Sequence, residues 1–275
     1  QGERAYVLSN LFHIVDYRNA AAPQILGSYQ VSDLFLHDLN VVGDYAYLSG
    51  QGQIKIFDIH DPTQPILAQT YGLNPGEPWA TPAVILDNRM AYVVAYDEVT
   101  YDYSLQVMQF DPPASPTVYS IYEAQFDDDI SALDGDEQRV YLTSWNGKVE
   151  LLDTSNPYSP TLTGTYSSTL YTHLLRQAGD LVLLGASEKV AIVDFSNRLS
   201  PTLASMLEFP STVHDIQVDG GWAYIATQDY WMPESGIYVY DIHDPYNPTL
   251  LGTYPTLASH IQIADGLMYV SADKD

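Results

Sequence analysis

A sixfold repeat constrains the fold of this chain more than any other feature of its sequence. Each copy alternates apolar residues, ends in Asp, makes a turn, and continues with Pro, an aliphatic residue and usually Tyr. The six aspartates are 42, 53, 42, 41 and 47 residues apart, and Pro follows the Asp by seven residues in five copies and by five in the third. Self-similarity at this period indicates one supersecondary unit per repeat. The aspartates are Asp16, Asp58, Asp111, Asp153, Asp194 and Asp241.

Each repeat contains four short stretches with the pattern of β-strands, which we name A to D in chain order. Strand C carries the Asp, strand D follows the Pro, and strand B precedes strand C, as in residues 44–49. Another short alternating run, such as 39–41, supplies strand A. Alternation with Val, Ile, Tyr and Thr favours strands. Four strands per unit of 41 to 53 residues predict the blades of an all-β propeller, because a solenoid would use shorter units.

The strand count predicts how the ring closes. Residues 5–9, 11–16 and 24–29 supply strands B, C and D, whereas 260–263 and 267–272 supply A and B. We therefore predict a single β-propeller domain over residues 1–275, with six four-stranded antiparallel blades. One blade would be shared between the terminal half-blades 1–31 and 257–275, with one strand to spare, because shared closure removes free sheet edges. The alternative is a seven-bladed ring cut from a longer chain.

The recurrent Asp and Pro residues are predicted to shape turns and not to catalyse. Asp58 to Pro65 reads Asp-Ile-His-Asp-Pro-Thr-Gln-Pro, and Asp241 to Pro248 has the same plan. Asp before Pro opens a tight turn, and Pro fixes φ at the second position. The second Pro enters the outermost strand, where its missing N–H is tolerated.

The same residues resemble the LVIVD-repeat family of β-propellers. Residues 191–194 (Ala-Ile-Val-Asp) and 12–16 (Phe-His-Ile-Val-Asp) lie where that family's name motif lies, and residues 153–157 and 248–254 match its turn and next strand. The resemblance covers essentially the whole chain, although Asp111-Pro112-Pro113 departs from the usual turn. It implies a propeller of bacterial or archaeal origin, usually on secreted or surface proteins, with no general activity. We therefore expect an extracellular or cell-surface location.

Composition excludes several functions. Lys and Arg total 10 against 35 Asp and Glu, and the resulting net charge of −25 repels nucleic acids and anionic membranes but favours cationic partners. Apolar runs such as 181–184 are far too short to span a bilayer, so no direct membrane insertion is expected. The chain has no Cys and contains no nucleophile elbow, phosphate-binding loop, dinucleotide fingerprint or zinc-protease motif.

Acidic and His residues recur where each strand A begins, in strands that would line the central channel. Carboxylates from several blades would suit a hard cation such as Ca²⁺, and His would favour a transition metal. The alternative interpretation is that each side chain hydrogen-bonds the backbone of the neighbouring blade. The predicted metal column is Asp38, Asp129, Asp215 and His260, with His37, His173 and His214 nearby.

Two blades carry long B–C connections that combine aromatic and acidic residues, a composition suited to sugars, cationic peptides or protein anchors. The predicted contact residues are Tyr96, Asp97, Tyr101, Tyr103, Tyr230 and Trp231. The leading hypothesis is a non-catalytic propeller that binds proteins or glycans at the cell surface, or that acts as an assembly module. A metal-dependent hydrolase or lyase with a His/Asp site in the channel is one alternative, and a purely structural repeat module of a longer surface protein is the other.

Overall fold

The structure is a computed structural model of the chain. It describes residues 3–8, 11–19, 21–31, 36–50, 52–73, 83–86, 90–96, 103–111, 115–124, 126, 128–229, 234–264 and 266–271. Within these ranges every regular element is a β-strand, and no helix occurs.

In the part of the chain that the structure describes, twenty-five strands form seven antiparallel sheets, of which five are complete four-stranded blades. Every blade runs A-B-C-D, so each strand pairs with its neighbour in sequence. The partial sheets are β1(Arg4–Leu8), β2(Leu11–Asp16), β3(Gln24–Gln30) and β24(His260–Ala264), β25(Leu267–Ser271). The complete blades are β4(Leu36–Val42), β5(Tyr45–Gly50), β6(Gln53–Asp58), β7(Ile66–Gly72); β8(Ala83–Ile85), β9(Met90–Tyr96), β10(Tyr103–Gln109), β11(Thr117–Glu123); β12(Ile130–Gly135), β13(Arg139–Ser144), β14(Lys148–Asp153), β15(Thr161–Ser167); β16(Leu174–Ala178), β17(Leu181–Ala186), β18(Lys189–Asp194), β19(Thr202–Glu208); and β20(Thr212–Asp219), β21(Trp222–Gln228), β22(Gly236–Asp241), β23(Thr249–Pro255).

The fold class predicted from the sequence is confirmed: the chain is an all-β, six-bladed propeller of four-stranded antiparallel blades. The chain divides into two compact units. Unit 1 comprises Gln1–Ala124 and Asn156–Pro160, and unit 2 comprises Gln125–Ser155 and Thr161–Asp275. Sheets β1–β3 and β24–β25 contain the strands that the sequence assigned to the shared blade. Closure by these strands, and one domain over residues 1–275, stay predictions.

The repeat aspartates shape the C–D turns by local hydrogen bonds. In five copies the carboxylate accepts the backbone N–H two residues ahead at 2.7–3.0 Å, as Asp194 does from Ser196. In four copies, a second Asp or Asn three residues later also accepts the backbone N–H two residues ahead of it, as Asp61 does from Thr63. This side-chain bonding stops strand C and reverses the chain, because it replaces the ladder hydrogen bonds.

The third copy of the motif is shifted from the sequence alignment. Gln109 lies opposite Met90, as Asp58 lies opposite Tyr45, and the bulge follows Val107 as it follows Ile56. Gln109 therefore occupies the repeat position that the sequence alignment gave to Asp111. The corrected position restores the seven-residue spacing to Pro116, so the short spacing came from a misplaced aspartate.

Blades bury their apolar faces against one another, because one small sheet cannot form a core alone. In unit 2, Leu183 and Ile192 of the fourth complete blade share a buried cluster with Ile216 and Ile225 of the fifth. In unit 1, Phe12 of β2 packs in the same way with Phe57 of β6. The faces of the sheets are thus used for packing between blades.

Candidate functional site

The long B–C connections lie where the sequence predicted them. β9 and β10 are joined by residues 97–102 and β21 and β22 by residues 229–235, whereas two or three residues join strands B and C elsewhere in the complete blades. Tyr96 and Tyr103 flank the first connection, with ring centroids 4.9 Å apart. Of the other predicted contact residues, Asp97, Tyr101, Tyr230 and Trp231 lie outside the described residues.

In unit 2 the inner strands are joined by polar side chains that reach the backbone of the next blade. Asp134 on β12 accepts the N–H of Gln177 on β16 at 2.9 Å. Arg176 on β16 donates to the carbonyl of Ile216 on β20 at 2.8 Å. Asp215 on β20 accepts the N–H of Ile261 on β24 at 2.9 Å. These bonds fix the register between successive blades.

The predicted ligand Asp215 is fully engaged in this ladder. Only 5% of the residue is exposed. Its Oδ2 accepts from Ile261, while Oδ1 accepts the N–H of Ile216 at 2.7 Å and lies 3.3 Å from the guanidinium of Arg176. His173 similarly places Nε2 3.2 Å from the carbonyl oxygen of Val213 in the next blade. At both residues the structure shows the interblade hydrogen bonds of the alternative interpretation.

Strand register places three members of the metal column, but not the fourth, at one position of the repeat. Asp38 lies opposite Ser49, Asp215 opposite Ala226 and His260 opposite Ser271. In the third complete blade, however, Ala132 takes this position opposite Thr143, and Asp129 precedes the strand.

The sequence alignment was therefore wrong by three residues at Asp129. His214 is the exposed bulge residue before Asp215, and the side chain of His37 lies outside the described residues. Across the described part of the chain, no group of three or more His, Asp or Glu residues could hold a metal ion. A cation site built from other members of the column stays a prediction.

The structure brings together an aromatic pair that the sequence analysis did not select. Trp145, in the B–C turn of the third complete blade, stacks on Tyr171, in the D–A connection that follows this blade. Their ring centroids are 5.1 Å apart and the ring planes differ by 24°. Tyr171 is 65% exposed and Trp145 is half-buried. We name this pair the aromatic platform.

Backbone hydrogen bonds hold the platform in place. The N–H of Trp145 donates to the carbonyl of Asp129 at 3.2 Å, and the N–H of Thr172 donates to the carbonyl of Trp145 at 3.1 Å. Thr172 is fully buried, and its hydroxyl bonds the carbonyl of Ser144 at 2.9 Å and lies 3.0 Å from the hydroxyl of Thr143. Both residues that carry the rings are therefore anchored on the ends of a rigid sheet.

Charged residues of both signs lie near the platform, and the acidic ones are the more exposed. Asp128 and Asp129 are exposed. Lys148, which begins β14, lies 5.4 Å from the centroid of the Phe126 ring and 3.4 Å from the carboxylate of the buried Glu150. Lys148 thus contacts groups of the chain itself, whereas Asp128 and Asp129 are exposed. Two features of the sequence could have indicated the platform. Trp145 lies in a three-residue turn, and Tyr171 precedes the candidate His173 by two residues.

Family comparison agrees with the turn and strand chemistry. The model of the LVIVD repeat matches residues 37–72, 138–168 and 211–256, which fall in the first, third and fifth complete blades. The chain carries LVIVD repeats. No curated protein matches this chain. Within the described ranges, no helix is long and apolar enough to cross a membrane.

Solved structures share the fold of this LVIVD-repeat protein at low sequence identity. A functionally unknown protein from Desulfotomaculum acetoxidans is 12% identical, with a TM-score of 0.70 over 92% of this chain and 80% of that one. A chain in the complex of KlAtg21 with the coiled coil of AgAtg16 is 13% identical, with a TM-score of 0.70 over 92% of this chain and 82% of that one. Chaetomium thermophilum Raptor gives 12% and 0.70 over 95% of this chain, which spans only 24% of Raptor. Identities this low establish the fold alone.

Proposed function

We propose that this LVIVD-repeat protein is a non-catalytic binding module at the cell surface, and that it holds a protein partner through the aromatic platform. The observation that carries the proposal is the exposed stack of Trp145 and Tyr171. Trp and Tyr are enriched among residues that dominate the energy of protein interfaces. A pair held by backbone hydrogen bonds loses little conformational entropy when it binds, so its contact area is used efficiently.

Three tyrosines of strand B provide a comparison for Tyr171 of the platform. Tyr47, Tyr92 and Tyr141 occupy the same position in strand B of three blades, and each is essentially fully buried. Those rings serve the core of the propeller. Tyr171 lies outside any strand and leaves two thirds of its surface in water, so packing within the chain accounts for little of it.

Two further parts of the proposal come from the resemblance and from a neighbour. The LVIVD resemblance supports an extracellular or cell-surface location and a role in a larger assembly. One solved propeller of similar fold is a complex with a coiled coil, which shows that such a fold can present a surface to another protein. The acidic charge of the chain favours a partner with basic groups.

The test compares partner capture by matched variants. Biotinylated wild-type protein is incubated with intact cells of the source organism, cross-linked and recovered, and each enriched protein is then purified and titrated by biolayer interferometry. The double variant Trp145→Ala with Tyr171→Ala should weaken binding by at least about tenfold, as expected for interface anchors. Trp222→Ala is the matched control, because Trp222 is also exposed (44%) but follows the A–B turn of another blade.

The outcome is decided by the difference between these variants. Thermal unfolding and circular dichroism establish that both variants keep the fold. Equal binding by wild type, the double variant and Trp222→Ala would refute the platform as the contact site. Capture of a glycan by the platform, in place of a protein, would contradict the protein-binding proposal.

A further inference from the structure

The exposed acidic residues near the platform indicate which kind of ligand it binds. The carbonyl of Asp129 accepts the N–H of Trp145, so the backbone of Asp129 is held beside that of the platform residue. Among the described residues, none donates a hydrogen bond to the Asp129 carboxylate or forms an ion pair with it. Asp128 is also exposed, and its Oδ1 accepts the N–H of Asp129 at 2.9 Å. The site therefore combines open aromatic surface with negative charge.

A cation already lies against an aromatic ring at the same end of this blade. Lys148 lies over Phe126 and is neutralised by the buried Glu150. Because Lys148 is committed to that contact, the negative charge of Asp128 and Asp129 remains available to an incoming cation. The net charge of −25 adds a long-range attraction for basic segments.

We propose that the aromatic platform and Asp129 recognise an arginine side chain of the protein partner. This inference rests on the proposed function and specifies the chemistry of its ligand. The planar guanidinium stacks on an aromatic face while its N–H groups donate to a carboxylate. The ammonium of lysine is a strongly hydrated point charge that cannot stack in this way, so the site prefers arginine.

The test uses three fluorescein-labelled peptides of one design, Gly-Xaa-Gly-Xaa-Gly, in which Xaa is arginine, lysine or citrulline. Citrulline keeps the planar shape and removes the charge. Fluorescence anisotropy is measured in roughly 0.15 M salt, where screening suppresses attraction to the acidic surface in general. The arginine peptide should bind at least about fivefold tighter than the other two.

Matched variants separate the platform from bulk electrostatics. Tyr171→Ala and Asp129→Asn should each abolish the preference for arginine. Trp222→Ala and Asp219→Asn should retain it, since both residues are exposed but flank an A–B turn of another blade. Equal binding of the arginine and lysine peptides, a citrulline peptide as tight as arginine, or an intact preference in Tyr171→Ala would overturn the proposal.

Failure of this inference can be distinguished from failure of the proposed function. If the peptides show no preference for arginine but partner capture still depends on the two rings, the arginine proposal is overturned and the binding module stands. If capture is independent of the rings, the proposed function is itself wrong.

Discussion

Two glycines at the same repeat position offer a sharp test of how the blades pack. Gly164 lies opposite Leu151 and Gly252 opposite Val239, each just after the bulge of strand D, and each precedes Thr-Tyr. A Cβ built on Gly164 would come within 2.5 Å of the carbonyl oxygen of Arg198 in the C–D turn of the next blade. A Cβ on Gly252 would meet nothing within 4 Å.

The same substitution should therefore have opposite effects at the two positions. Gly164→Ala pushes Cβ into a backbone carbonyl and should destabilise by roughly 1–3 kcal/mol, as overpacking does. Gly252→Ala restricts the unfolded chain without a clash and should stabilise by about 0.5 kcal/mol. With an unfolding entropy of about 2.1 cal/mol/K per residue, the resulting gap of about 1.5–3.5 kcal/mol separates the melting temperatures by about 3–6 °C.

Calorimetry and urea denaturation of both variants measure this gap. The two proteins share the chemistry of the substitution, so the comparison isolates the contact with Arg198. A Gly252→Ala variant destabilised as much as Gly164→Ala would refute the reasoning, because it would require another segment to cover β23 at Gly252.

Three further predictions concern the turns, the interblade ladder and the platform. The Ser155 hydroxyl and N–H bond the Asp153 carboxylate and lower its pKa. The stabilisation that these bonds provide is present above the unfolded pKa of about 4 and is lost as pH falls through the lower folded pKa. Asp153→Asn should therefore reduce the loss of stability measured by acid titration. Arg176→Met leaves the buried Asp215 carboxylate without its cation and removes the donor to the Ile216 carbonyl, so it should cost about 2–4 kcal/mol in urea denaturation. Thr172→Val removes two buried hydroxyl contacts and should cost about 1–2 kcal/mol while weakening partner binding in the same interferometry assay.

The turns and strands could be predicted because their causes are local. An aspartate bonds the N–H two residues ahead whatever surrounds it, so the motif from Asp241 to Pro248 can be read without the rest of the chain. The third copy shows the limit of this reasoning. Asp111 resembles the repeat aspartate in sequence, but pairing with Met90 gives that position to Gln109.

The candidate site depended on contacts that no local pattern reports. Trp145 and Tyr171 are 26 residues apart, and strands β14 and β15 must form before their rings can meet. The predicted metal ligand Asp215 has the right chemistry for a cation, but the arrival of Arg176 and of the Ile261 N–H decides how its carboxylate is used. Likewise, the pairing of β12 with β13 places Ala132, and not Asp129, at the position of the predicted metal column.

The sequence alone determined the propeller class, the four strands of each repeat and the turns between strands C and D. Each follows from alternation or from hydrogen bonds spanning two or three residues, and six copies reinforce one another. Tertiary structure alone decided which polar side chains join blades and which aromatic rings face water. Those outcomes depend on the register between strands and on the stacking of one blade against the next, where a shift of a single residue exchanges a buried side chain for an exposed one.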